Sequence, residues 1–235
     1  MGALSEDRPK CLVELDHQPL VRRQIAALRR GGVSTIGIVR GYLGNMIDIE
    51  GVTYFENPRW AETNMVMSLV AAAPWLRCDS VVISYADIFY GHGVVRDLAA
   101  SSGDLVVACD RSWRDLWARR FADPLSDAET FRTDASGNLI DIGRRTTRMD
   151  DIQGQYMGLL RFTPEAWRAV EALLAGVSAK ARDAMDMTTL LRSLLESGFA
   201  IKTVDATGHW GEVDSSDDLE LYEKMIREGE LCVEN

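Results

Sequence analysis

Val81-Val82-Ile83-Ser84-Tyr85-Ala86-Asp87-Ile88-Phe89 decides how the rest of the chain is read. A β-branched, apolar run that stops at an aspartate has the form of a buried strand with a carboxylate at its carboxyl end. Open α/β sheets bind their ligands at that edge, so Asp87 is the first candidate functional residue. A strand-end aspartate also serves as a helix cap or a turn residue, and this segment alone leaves both uses open.

Working outward, short β-branched runs alternate with amphipathic stretches, the pattern of a mostly parallel sheet covered by helices. The spacing predicts strands over 35–40, 52–56, 80–85, 104–109, 155–162 and 200–205. Helices are expected between them. The segment 19–30 ends at the glycine stop Gly31-Gly32, and 64–76 is rich in Met, Leu, Val and Ala. Thr163-Pro164-Glu165 places a cap, a first-turn proline and an early acid before 166–174. Helix 188–197 stops at Gly198, and 215–227 opens with a serine and early acids. Around 131–143 the period changes, and Asp134-Ala135-Ser136-Gly137-Asn138 reads as the turn of an inserted hairpin. No repeat or linker interrupts the chain. Residues 1–235 are therefore expected to form one α/β domain, Rossmann-like, with a mostly parallel mixed sheet, helices on both faces and a small hairpin insertion.

Composition sets limits on function. Of 235 residues, 46% are apolar and 26% charged, enough for a sizeable core. A formal net charge of −10 argues against a nucleic-acid or acidic-membrane binder, because those need a basic surface to displace counterions. A phosphorylated ligand must then be met by a local basic site. Cys11, Cys78, Cys109 and Cys232 form no CxxC pair, which suggests neither a zinc knuckle nor a disulfide framework. Three of them sit in apolar, strand-like surroundings and are expected to be small buried hydrophobes in a reducing cytoplasm. No apolar run approaches a membrane-spanning length, and Met1 is not followed by a signal peptide. His17, His92 and His209 share no ligand spacing.

Three further stretches carry chemistry. Arg8-Pro9-Lys10-Cys11-Leu12-Val13-Glu14-Leu15 sets a lysine after a rigid proline, a point charge for a polyphosphate or simply a solvated lysine. Asn57-Pro58-Arg59-Trp60-Ala61-Glu62-Thr63-Asn64 leads from a turn to a Thr-Asn pair at a helix start. Its hydroxyl, amide and free backbone N–H groups suit a base or phosphate edge, or a plain N-cap. Gly208-His209-Trp210-Gly211-Glu212-Val213-Asp214-Ser215 offers a second aspartate, with Ser215 as the alternative cap of the last helix. In this order the segments resemble the nucleotidyltransferases that activate sugar phosphates, phosphocholine or phosphonates, and the resemblance covers nearly the whole chain. The stretches 83–88 and 154–160 and Gly208-His209-Trp210 are most similar to the CTP-dependent phosphonate and phosphocholine cytidylyltransferases.

The resemblance implies that Lys10 meets the nucleotide phosphates and that Asp87 and Asp214 are magnesium ligands. Two carboxylates suffice for Mg2+, which takes its other oxygens from phosphate and water. It also implies a nucleotide-binding role for Thr63 and Asn64, CTP as co-substrate, a small alkylphosphonate as acceptor and pyrophosphate as product. Phosphocholine is the alternative acceptor, and a homodimer follows only by analogy. Tyr85, with Trp60, Trp113, Trp117 and Tyr156, is a candidate pocket residue or a core aromatic; Asp110 follows a strand as Asp87 does and could hold a substrate amine. Arg111, Arg114, Arg119 and Arg120 form a cluster that reads as an anion attractor or, for most of them, a solvated helix face. The family's first strand, ending in Leu-Ala-Ala-Gly-x-Gly-x-Arg, has no counterpart, because Met1-Gly2 aligns just past it. Either Met1 is an internal methionine of a longer enzyme, or the chain is a homologue that binds nucleotide without catalysing. That strand would lie mid-sheet, and its neighbours would lack ladder partners.

Overall fold

A computed structural model describes Leu4, residues 6–206 and residues 210–233. Met1-Gly2, on which the glycine-loop expectation falls, and Gly208-His209 of the late motif lie outside the described residues. From the amino end, β1 (Glu14–Leu15) and β2 (Gln18–Pro19) form a short antiparallel pair, followed by α1 (Leu20–Arg30). Next, β3 (Gly37–Arg40) and β4 (Thr53–Glu56) pair in parallel. Then come α2 (Met65–Ala71), α3 (Ala73–Leu76), β5 (Val81–Ser84), β6 (Ile88–Tyr90), α4 (His92–Ala100), β7 (Leu105–Asp110) and α5 (Trp113–Arg120). The hairpin β8 (Glu129–Thr133) and β9 (Leu139–Arg145) precedes β10 (Gln155–Phe162), α6 (Pro164–Gly176), α7 (Ala179–Asp183) and α8 (Met187–Glu196). The last elements are β11 (Ile201–Asp205), β12 (Trp210–Glu212) and α9 (Ser216–Arg227).

The central sheet runs β11-β7-β10-β5. β11 is parallel to β7, and β10 is antiparallel to both β7 and β5, so β5, β7 and β11 share a direction. This is the mixed α/β sheet that the sequence predicts. Alternation along β7 shows why helices cover both faces: Leu105, Val107 and Cys109 enter one core with Phe162, Trp167 and Leu190. Val106 and Ala108 enter the other, with Ile25, Val95 and Trp117. Among the described residues β5 pairs only with β10, and β3 only with β4. Val81, Val82 and Ile83 are half-buried as a result, while the equally apolar β7 is buried throughout.

Two expectations need correction. The helix expected over 64–76 is two helices, α2 and α3, because Pro74 has a fixed φ and no N–H to continue the first one and instead sits in the first turn of the second. Of the cysteines, Cys11 and Cys109 are buried in the two cores, whereas Cys78 and Cys232 are exposed and belong to neither. The inserted hairpin is present, its turn held by the Asp134 carboxylate accepting from the Ser136 and Asn138 amides.

Gly158 is the residue in β10 that must stay glycine. Its φ is +70°, and a Cβ there would lie 2.5 Å from the Tyr85 ring. Gly158→Ala should cost about 3 kcal/mol, the sum of left-handed strain and overpacking. Urea unfolding would show this as a lowered midpoint at unchanged slope.

Candidate active site

The turn after β5 is fixed from two sides. Tyr85 N donates to Gly158 O at 2.9 Å, and the buried Gln24 of α1 donates through Nε2 to Tyr85 O at 2.8 Å and Ile88 O at 2.6 Å. A buried amide is stable only when bonded, so Gln24 holds the turn in one shape, with Asp87 at its end. β12 then pairs antiparallel with β6, setting Glu212 opposite Ile88, and Val213 N donates to Asp87 O at 2.9 Å. Residues two apart on an extended segment face the same way, which puts Glu212 and Asp214 together. One ligand atom from each of Asp87, Glu212 and Asp214 lies within 4.8 Å of the others.

Lys10 reaches the same place. Pro9 is buried, and Lys10–Leu12 forms a 3-10 turn in which Leu12 N donates to Pro9 O at 2.9 Å and Cys11 enters the core. The Lys10 Nζ donates to Asp87 Oδ2 at 3.0 Å and to Asp214 Oδ1 at 2.7 Å. Burial works against this ammonium, but the two aspartates hold its pKa above the ordinary lysine value, so it stays charged. Asp214 is free to take part because Ser215 caps α9 in a capping box with Asp218.

Behind the cluster lies a second cation. The Arg120 side chain, at the end of α5, is 1% exposed. It donates through Nε to Asp218 Oδ1 at 2.7 Å and lies 3.5 Å from Asp214 Oδ2 and 3.6 Å from Glu212 Oε2. Its guanidinium stands over the rings of Trp117 and Phe121. Arg120 therefore leaves the solvated face expected of the arginine cluster, whereas Arg111, Arg114 and Arg119 are exposed. Burial, with Asp214 and Asp87 nearby, pushes the Glu212 carboxyl up to about 8 against the pull of Arg120. Oxygen donors converge here, and Asp87 Oδ1 is buried with no hydrogen-bond partner. That donor set fits a hard divalent cation.

The other sequence candidates have defined partners. Asn64 caps α2, its Oδ1 accepting from Met65 N at 2.7 Å, and its Nδ2 donates to Ala184 O. The Thr63 hydroxyl donates to Arg59 O and accepts from Asn57 Nδ2. Among the described residues no hydrogen bond joins either side chain to Lys10, Asp87 or Asp214. Asp110 is buried and accepts from Trp210 Nε1 at 2.9 Å and Ser112 N at 2.7 Å, which ties the end of β7 to β12. Tyr85 stands edge-on to Tyr156 with ring centroids 5.9 Å apart. Trp113 and Trp117 are core residues, and Trp60 is exposed. Sequence reasoning missed Gln24, Glu212 and Asp218, and named Arg120 only as one of a cluster of arginines that could attract an anion. Only Glu212 carried a signal, the two-residue spacing to Asp214.

The MobA-like NTP transferase domain family matches residues 1–181, and the chain belongs to it. A relative, the CTP:phosphoglutamine cytidylyltransferase of Campylobacter jejuni, is 34% identical over 236 residues, covering 93% of this chain and 92% of that protein. The 2-aminoethylphosphonate cytidylyltransferase of Lancefieldella rimae is 27% identical over 149 residues, 61% of this chain and 56% of its own length. Among solved structures, the inositol-1-phosphate CTP transferase from T. maritima superimposes with a TM-score of 0.71 at 19% identity, covering 97% of this chain and 91% of that one. The fold is that of a nucleotidyltransferase. No helix among the described residues is long and apolar enough to cross a membrane.

Burial alone would raise the Asp218 carboxyl, yet Arg120 and the Ser215 and Asp214 donors hold it below the ordinary carboxylate range. A carboxylate so depressed stabilises the fold above its unfolded value of about 3.9 and stops doing so as pH falls through the native value. Arg120→Met should cost about 3–5 kcal/mol at neutral pH by stranding buried Asp218. Urea unfolding from pH 7 to pH 3 should also show a shallower acid-side decline in the variant.

Proposed function

We propose that this chain transfers a cytidylyl group from CTP to a phosphorus-bound oxygen of a small acceptor and releases pyrophosphate. The observation that carries this is the Lys10 ammonium lying between Asp87 and Asp214 beyond the carboxyl end of β5. CTP as donor is supported by the names of the two relatives above, both of them cytidylyltransferases. An acceptor of the phosphoglutamine kind is supported by the relative that spans nearly the whole chain. The alkylphosphonate reading rests on the motif likeness and on the shorter match.

Asp87 and Asp214, joined by Glu212, would hold magnesium. Bound there, it would offset charge on the nucleotide phosphates and orient them. Lys10 would place a point charge on the phosphates, where charge grows as pyrophosphate leaves. The acceptor oxygen is anionic near neutral pH and attacks the α-phosphorus directly, so no side chain need remove a proton. Gln24 keeps the Asp87 turn from moving during the reaction. Asp110 acts through Trp210, two residues before Glu212. Tyr85 lies two residues before Asp87, and Thr63 and Asn64 present a loop made rigid by its own hydrogen bonds. Binding roles for these three rest on the sequence likeness.

Pyrophosphate release should be measured with CTP, Mg2+ and either phosphoglutamine, 2-aminoethylphosphonate or phosphocholine. One of the first two is expected to support turnover best. Asp87→Asn and Asp214→Asn should each lower kcat by about 10³-fold, and Lys10→Met by about 10²-fold. Near-normal turnover in either aspartate variant would refute the metal assignment. CTP binding without release on any acceptor would leave a nucleotide-binding homologue.

A further inference from the structure

The carboxylate cluster is served by two cations that differ in one respect. Arg120 is enclosed: its side chain is 1% exposed, roofed by Trp117 and Phe121 and bonded to a buried Asp218. Lys10 is 31% exposed at the side chain, and its two bonds are to the same carboxylates assigned to magnesium. An ammonium is a compact point charge on a flexible stem, well suited to change partners. With its nitrogen 3.0 and 2.7 Å from two of their oxygens, it competes with a divalent ion for the charge of both carboxylates.

We propose that Lys10 is an exchangeable place-holder for the divalent ion: it holds Asp87 and Asp214 together until the ion displaces it, and displacement frees its ammonium to meet phosphate. This rests on the nucleotidyl-transfer reading above. Arg120 does not exchange, and the positive charge behind the cluster remains in both states. Without Lys10 the carboxylates would repel one another, and Asp214, 46% exposed at its side chain, would turn towards water. The arrangement thus keeps a metal site assembled before the metal arrives, at the cost of having to be outcompeted.

The exchange can be read without turnover. The lysines of this chain are Lys10, Lys180, Lys202 and Lys224, so lysine-selective 15N labelling gives a simple ammonium spectrum. Titrating the wild-type protein with Mg2+ alone should move the Lys10 signal, assigned by its loss in Lys10→Met, and leave the other three in place. Separately, Mn2+ binding followed by electron paramagnetic resonance without nucleotide should be at least about tenfold tighter in Lys10→Met than in wild type. Adding Asp87→Asn to that variant should abolish the gain. A Lys10 signal indifferent to saturating Mg2+, or equal or weaker Mn2+ binding in Lys10→Met, would overturn the exchange. Wild-type pyrophosphate release alongside such a result would leave the transfer reading standing.

Discussion

Mutual repulsion among close carboxylates is the constraint on which this molecule depends. Asp87, Glu212 and Asp214 crowd within 4.8 Å, with Asp218 just behind. Like charges at such distances separate or take up protons unless something opposes them. Three devices do so. Backbone register fixes where the side chains start, because β12 is zipped to β6 and Val213 to Asp87. Cations lie on two sides, Lys10 in front and Arg120 behind. Glu212 accepts the remaining strain by holding its proton up to about 8. Each device belongs to a different part of the chain, and the sheet is what brings the parts together.

The scaffold supports this from below. Gln24 spans from α1 to both ends of the Asp87 turn, and Asp110 reaches from β7 to the indole of Trp210. Trp210 packs near Trp117, whose helix also delivers Arg120. The core on the Val106 and Ala108 face of β7 thereby reaches the site through single buried polar groups. A polar group in such a position gives direction as well as energy, because it has one satisfied geometry and many unsatisfied ones.

How much of this the sequence revealed follows from the range of each interaction. Asp87 showed through local chemistry, as the end of an apolar strand, whereas Lys10 stood out only through the family resemblance. Long strands such as β7 and β10 showed by their apolar runs, but β1, β2, β6 and β12 are two or three residues long, too short for any period to register. Helix α4 follows Gly91 with no side-chain cap bond and no acid in its first turn, so its start carried no signal. Arg120 looked like the last of several surface arginines in α5, and its burial is decided by Asp218, 98 residues further on. The α2–α3 break was written plainly in Pro74 and was outweighed by the apolar run around it.

The bond between Lys10 and Asp214 spans 204 residues of chain. Contacts of that separation close the largest loops and are slow to form. During synthesis the protein therefore emerges with its lysine, its loops and most of its sheet, but with the front of the site open. Only when α9 has left the ribosome can Asp214 take its place. This edge is thus the last part of the fold to close, and a fragment that stops short of Asp214 carries the scaffold without the full carboxylate cluster.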